Sequence, residues 1–123
     1  MIDGDALRDW CLARPGVTEE RPFGPVTTVF KVSGKVFVLS ALERVPLEVS
    51  LKCEPPLAEQ LRRDHPTAVR PGYHLNKRHW NTVLCDGSLP DQLVWDMVED
   101  SYDLVVEGLP RRVRDVLGWR VGS

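Results

Sequence analysis

Leu47-Glu48-Val49-Ser50-Leu51-Lys52 alternates apolar and polar residues without interruption. Successive side chains of a strand point to opposite faces, so Leu47, Val49 and Leu51 share one face and Glu48, Ser50 and Lys52 the other. A strand of this kind belongs to an antiparallel sheet with one packed face and one wet face. Two more strand-forming runs precede it. Val26 to Val32 is rich in β-branched residues and Lys35 to Ala41 reads as its return strand. Ser33-Gly34 between them is a two-residue hairpin signal. Val17 to Pro25, with Pro22-Phe23-Gly24-Pro25 at its end, reads as a loop.

A sheet with one dry face needs something to cover it. The longest helical pattern starts at Ser88-Leu89-Pro90-Asp91, where Ser88 is the expected cap, and runs to Glu107. At 100° per residue, Val94, Met97, Val98, Tyr102, Val105 and Val106 share a wide apolar arc with Leu93, Trp95 and Leu104. Asp96, Glu99, Asp100, Asp103 and Glu107 occupy the narrower opposite arc. Burying five of the apolar side chains contributes on the order of 10 kcal/mol before entropy is subtracted.

The remaining elements follow from their stop and start signals. Asp3 caps a first helix that runs to about Ala13, with Ile2 and Leu7 as a hydrophobic staple and Arg14-Pro15-Gly16 as its end. Pro55-Pro56 opens a second helix, whose stripe is Leu57, Ala58 and Leu61, and Pro66 closes it. Thr67 to Arg70 reads as a short strand and His79 to Cys85 as a longer one, with Trp80 turned into the core. The expectation is an α+β fold of order α-β(3)-α-β(2)-α, in which a five-stranded antiparallel sheet packs against helices. It comprises a single domain over residues 1–112 and an Arg-rich tail over residues 113–123, in which Val113, Val116, Leu117 and Trp119 can form a short amphipathic helix.

Three cysteines, widely spaced and odd in number, form neither a disulfide framework nor a zinc ribbon, which points to a reducing, cytoplasmic setting. No run approaches the roughly 18 apolar residues of a spanning helix, so no membrane association is expected. The net charge of −2 argues against indiscriminate binding of nucleic acid, but the charge is unevenly distributed. Residues 61–80 carry +4, residues 81–110 carry −7 and residues 111–123 carry +3.

Recognition groups are concentrated in Pro71-Gly72-Tyr73-His74-Leu75-Asn76-Lys77-Arg78-His79-Trp80-Asn81-Thr82-Val83. Arg70, Lys77 and Arg78 can neutralise phosphates, with Arg62 and Arg63 beside them if the second helix packs next to the last strand. Tyr73, His74 and His79 can stack on bases or bond to them, and Asn76 and Asn81 can bond to base edges. The alternative is structural: Lys77 and Arg78 as a solvated hairpin tip, Asn76 and Asn81 bonded to turn backbone. The acidic arc of the last helix offers a second kind of surface, for another protein or a second copy. His65, His74, His79, Cys53 and Cys85 lack metal-ligand spacing and the glycines are isolated turn residues, so no catalytic residue, metal or cofactor is expected.

The 71–83 stretch, Pro22-Phe23-Gly24, Asp86-Gly87 and Ser101-Tyr102-Asp103-Leu104-Val105, taken with the order of elements, resemble the MmcQ/YjbR family of small bacterial proteins over roughly residues 3–112. That resemblance implies a compact fold similar to secretion chaperones and grouped with the frataxin-like CyaY fold. Members commonly carry the label DNA-binding. The resemblance therefore implies a non-enzymatic DNA-binding protein, with Arg70, Tyr73, His74, Asn76, Lys77, Arg78 and His79 as its surface. The other expectation is a protein-interaction or chaperone-like module, dimeric if it pairs with itself.

Overall fold

The computed structural model describes residues 1–72 and 75–119. In chain order the elements are α1 (Gly4–Leu12), β1 (Val17–Glu20), β2 (Thr28–Val32), β3 (Lys35–Ser40), β4 (Leu47–Lys52), α2 (Pro55–Asp64), β5 (Val69–Pro71), β6 (Trp80–Cys85), α3 (Asp91–Glu107) and α4 (Arg111–Leu117). The strands form one antiparallel sheet in the order β1-β2-β3-β4-β6-β5. The fold is α+β, as expected, with a sixth strand. Val17 to Glu20, expected as loop, pairs along the outer edge of β2 from Val17 opposite Val32 to Glu20 opposite Val29. Four residues with alternate half-burial give little local signal, and only the neighbouring edge makes them a strand.

The local signals hold at most boundaries. Asp3 Oδ1 accepts from the Ala6 amide at 2.9 Å and caps α1. Ser33 and Gly34 both take positive φ, the two-residue hairpin geometry. The α3 cap differs: Pro90 is the capping position, and Ser88 instead donates its hydroxyl and its amide to Asp86, at 2.6 and 3.0 Å. Those two donors hold the exposed Asp86 carboxyl below its ordinary pKa.

Helix α3 lies across β3 and β4 and reaches β2 and β6; α1 packs near β1 and α2 near β5. Leu47, Val49 and Leu51 are buried and Glu48, Ser50 and Lys52 are only partly covered, as the alternation requires. Phe30, Phe37, Val38, Val83 and Val98 join them in the core. Phe37 sits at a break in register between β2 and β3, where Phe30 faces Val38 and Lys31 faces Val36. The extra residue lets both Phe37 and Val38 be buried, and Phe37 meets Tyr102 edge-on at 5.4 Å. Among the described residues the opposite face of the sheet carries no helix.

Trp80 corrects the sequence-based expectation. Its register partner is Lys52, on the uncovered face, and it is half-buried there. Asn81, Val83 and Cys85 occupy the inward positions instead. Val83 must stand opposite Val49 for the apolar rows to match, and the period of two then forces Trp80 outward.

Candidate binding cleft on the uncovered sheet face

The uncovered face carries one cross-strand row that changes character step by step. Val29 stands opposite Leu39, Leu39 opposite Ser50, Ser50 opposite Thr82 and Thr82 opposite Arg70. The row therefore runs from apolar side chains through two hydroxyls to a cation. From Leu39 to Arg70 it crosses three strand spacings, about 14 Å. The Ser50 and Thr82 hydroxyls are 2.9 Å apart. One donates to the other, which leaves the second hydroxyl proton free for an outside acceptor.

Two loops complete a cleft over this row. Phe23, from the β1–β2 connection, and Leu75, from the β5–β6 connection, line it together with Leu39, Ser50 and Thr82, and its volume is about 490 Å³. That size is ordinary for a ligand site. Phe23 is 74% exposed, so its ring face is open to a ligand in the cleft. Arg44 and Glu48 stand at the rim, and an adjoining hollow of about 380 Å³ shares Glu48 and Thr82 and adds Arg70 and Lys77. Glu48 lies between two arginines, 3.6 Å from Arg44 and 3.4 Å from Arg70. The rim thus holds three cations against one carboxylate, while Asp96, Glu99, Asp100 and Glu107 are exposed on α3, which covers the opposite face of the sheet.

The expected recognition residues divide among several roles. Arg70 and Lys77 line the adjoining hollow and are exposed. Arg78 is exposed on the same turn. Asn76 is a turn residue: its Oδ1 accepts from the Arg78 amide at 2.9 Å, and its carbonyl accepts from the amides of His79 and Trp80. His79 is half-buried, and its carbonyl accepts from the Cys53 amide at 2.7 Å. Tyr73 and His74 lie outside the described residues.

Two residues considered for nucleic acid are committed to the fold. Arg62, on α2, donates Nε to Asn81 Oδ1 at 2.7 Å and Nη2 to the Lys77 carbonyl, and a longer contact reaches the Trp80 carbonyl at 3.4 Å. Asn81 is fully buried and also donates to the Ala58 carbonyl at 3.4 Å. Arg62 therefore clamps the 75–81 connection to α2. Gly72 fits beneath the same connection: a Cβ there would stand 2.9 Å from Trp80 Cβ and 3.2 Å from Leu75 Cβ. Leu39, Ser50 and Thr82 enter the site through sheet register, and Phe23 through the β1–β2 connection. The one local hint among them is the Phe ring of Pro22-Phe23-Gly24, too polar a setting for a core aromatic.

The cysteines carry no reactive signature. Cys11, Cys53 and Cys85 are all buried and unpaired. Burial, first of all, pushes Cys11 up to about 12 and Cys53 and Cys85 up to about 11; acidic neighbours add to the rise at Cys53 and Cys85. Among the described residues no helix is long and apolar enough to cross a membrane.

A family model described as YjbR matches residues 12–104. The Escherichia coli protein YjbR, described as uncharacterized, is 42% identical over 112 residues, 90% of this chain and 93% of that one. A second Escherichia coli protein, YbdF, also described as uncharacterized, is 41% identical over 92 residues, 74% of each chain. The crystal structure of Deinococcus radiodurans protein DR2400, a DUF419 domain, superimposes with a TM-score of 0.89 at 39% identity, over 100% of this chain and 96% of that one. Both the loop that brings Phe23 to the cleft and the connection that brings Leu75 and Lys77 fall inside the matched residues, and by sequence and fold together this chain belongs to the YjbR family.

Proposed function

We propose that this protein is a non-enzymatic, cytoplasmic binding protein that takes DNA on the uncovered face of its sheet, with residues 70–81 along one side of the contact. The observation that carries this reading is the gathering of Arg44, Arg70 and Lys77 around a cleft into which an exposed phenyl ring, Phe23, also projects. Cations position a phosphate backbone, and an aromatic face gives bases something to stack on. The charge pattern supports the same orientation, since the carboxylates of α3 would turn a polyanion toward the basic side.

A titration of labelled single-stranded and duplex DNA at two salt concentrations tests it. With Arg44, Arg70, Lys77 and Arg78 on phosphates, the log–log salt slope on single strands is about −3. Arg70→Ala and Lys77→Ala each lower that slope by somewhat less than one, and Glu48→Gln tightens binding by removing the one carboxylate at the rim. No binding tighter than about 100 μM at low salt sinks the reading. A dimer by size-exclusion chromatography together with a flat titration hands the role to protein interaction.

A further inference from the structure

Resting on that proposal, we infer that the cleft is a seat for an unpaired base, so that the strand this protein takes is single-stranded. A duplex offers the sheet face only its phosphates and groove edges, because its bases are stacked on one another. The cleft is built for something else. Its floor grades from Leu39 through the Ser50–Thr82 hydroxyl pair to Arg70, apolar surface first, then one free hydroxyl proton, then a cation. A pyrimidine nucleotide offers matching parts: a flat face that packs on apolar surface, a carbonyl beside the glycosidic bond, and a phosphate on the far side of the sugar. Phe23 and Leu75 supply apolar contacts from two separate loops, and the 490 Å³ between them accommodates a base that has left its stack.

The arrangement also explains why Glu48 stands between Arg44 and Arg70. Its carboxylate holds both guanidinium groups at the rim, at 3.6 and 3.4 Å. A phosphate arriving at that rim competes with Glu48 for Arg70, which stands beside Lys77 in the adjoining hollow. Lys77, which borders the same hollow without an ion pair to Glu48, is available to the phosphate from the outset. The base is then held by shape and stacking, which tolerate any of the bases, and the free hydroxyl of the Ser50–Thr82 pair biases the choice toward bases with a carbonyl on the exposed edge.

The test compares four probes on the full chain: a short oligothymidine strand, the same strand with abasic sites, its duplex, and thymidine monophosphate. Fluorescence anisotropy gives the strand affinities directly, and the monophosphate is read as a competitor. The base-bearing strand binds about tenfold tighter than the abasic strand and than the duplex. Phe23→Ala and the double variant Ser50→Ala/Thr82→Val each weaken the base-bearing strand by about three- to tenfold and leave the abasic strand unchanged. Both variants keep the fold, since Phe23 is exposed and the half-buried hydroxyl pair is removed together, leaving neither partner unsatisfied; circular dichroism confirms it. Equal binding of the base-bearing and abasic strands overturns the base seat while the phosphate contact stands. Preference for duplex overturns it as well. Thymidine monophosphate binding as tightly as the strand overturns the assignment to a strand in favour of a free nucleotide. Failure of every probe removes the nucleic-acid reading itself, and the base seat with it.

Discussion

Arg62 Nε lies 2.7 Å from Asn81 Oδ1, and this contact helps tie helix α2 to β6, the strand that ends the recognition segment. Asn81 is fully buried, so its carbonyl oxygen has no water to fall back on. Arg62→Ala is expected to cost about 2–3 kcal/mol, because it removes a charge-assisted bond and strands a buried acceptor. Chemical denaturation at constant slope reads that loss. Arg62→Lys keeps the charge but not the fork that reaches Asn81 and Lys77 together, and recovers less than half of it. In DNA titrations the same variants change affinity only through the 75–81 connection, leaving the salt slope as it was.

Ser101 performs a similar task inside the core. Its hydroxyl donates to the Phe37 carbonyl at 2.6 Å and accepts from the Lys52 amide at 2.9 Å. Phe37 is the extra residue of the β3 bulge, and β3 pairs with β4 only at Val38–Leu51 and Leu39–Ser50, so Ser101 bridges the Phe37 carbonyl and the Lys52 amide just beyond that pairing. Ser101→Ala leaves both unsatisfied under α3, at an expected cost of about 2–4 kcal/mol. Hydrogen exchange at the Lys52 amide should accelerate in the variant by more than the change in global stability explains.

The three thiols give a direct check on packing. With pKa values near 11 to 12 and no exposure to reagent, Cys11, Cys53 and Cys85 are expected to resist an aromatic disulfide reagent at pH 8 until the protein unfolds. All three then react together in denaturant. Linkage has the matching sign: with thiols raised in the folded state, the fold loses stability as pH climbs past the unfolded value near 9, so stability falls between about pH 9 and 12.

The Asp100 carboxyl is raised above its ordinary value, chiefly through partial burial and then through Asp103, Asp96, Glu99 and Glu54. A raised carboxyl pKa means that the folded state binds the proton more tightly, so its contribution to stability is present at low pH and lost as pH rises through the folded value. Asp100→Asn is expected to stabilise by about 0.5 kcal/mol at pH 7, the scale of relieved like-charge pairs on a helix, and to make no difference near pH 3. Thermal melts at the two pH values separate the effects, and the gain shrinks in high salt.

The chain's local chemistry specified what depends on near neighbours. Period-two alternation at Leu47–Lys52, the Ser33-Gly34 hairpin, the Asp3 cap, the double-proline start of α2 and the wide apolar arc of α3 each act within a few residues, and each is found in the structure. Together they dictate a one-sided antiparallel sheet covered by a long helix. The turn at Asn76 to Arg78 was legible for the same reason, as an alternative to recognition: an asparagine bonding to backbone two residues on is local geometry.

What the sequence could not decide is what depends on register and on partners remote in the chain. Val17–Glu20 becomes a strand only because β2 offers it an edge. Trp80 faces outward because Val83 must meet Val49, and Asn81 faces inward because Arg62 and Ala58 satisfy it there. Arg62 is removed from the pool of free cations by the same contacts. The cleft is assembled from Phe23, Leu39, Ser50, Leu75 and Thr82, brought together by two strand pairings, β3 with β4 and β4 with β6, and two loops. A strand's pattern states which residues share a face, but only the packed sheet determines which face the helices cover and which is left for a ligand.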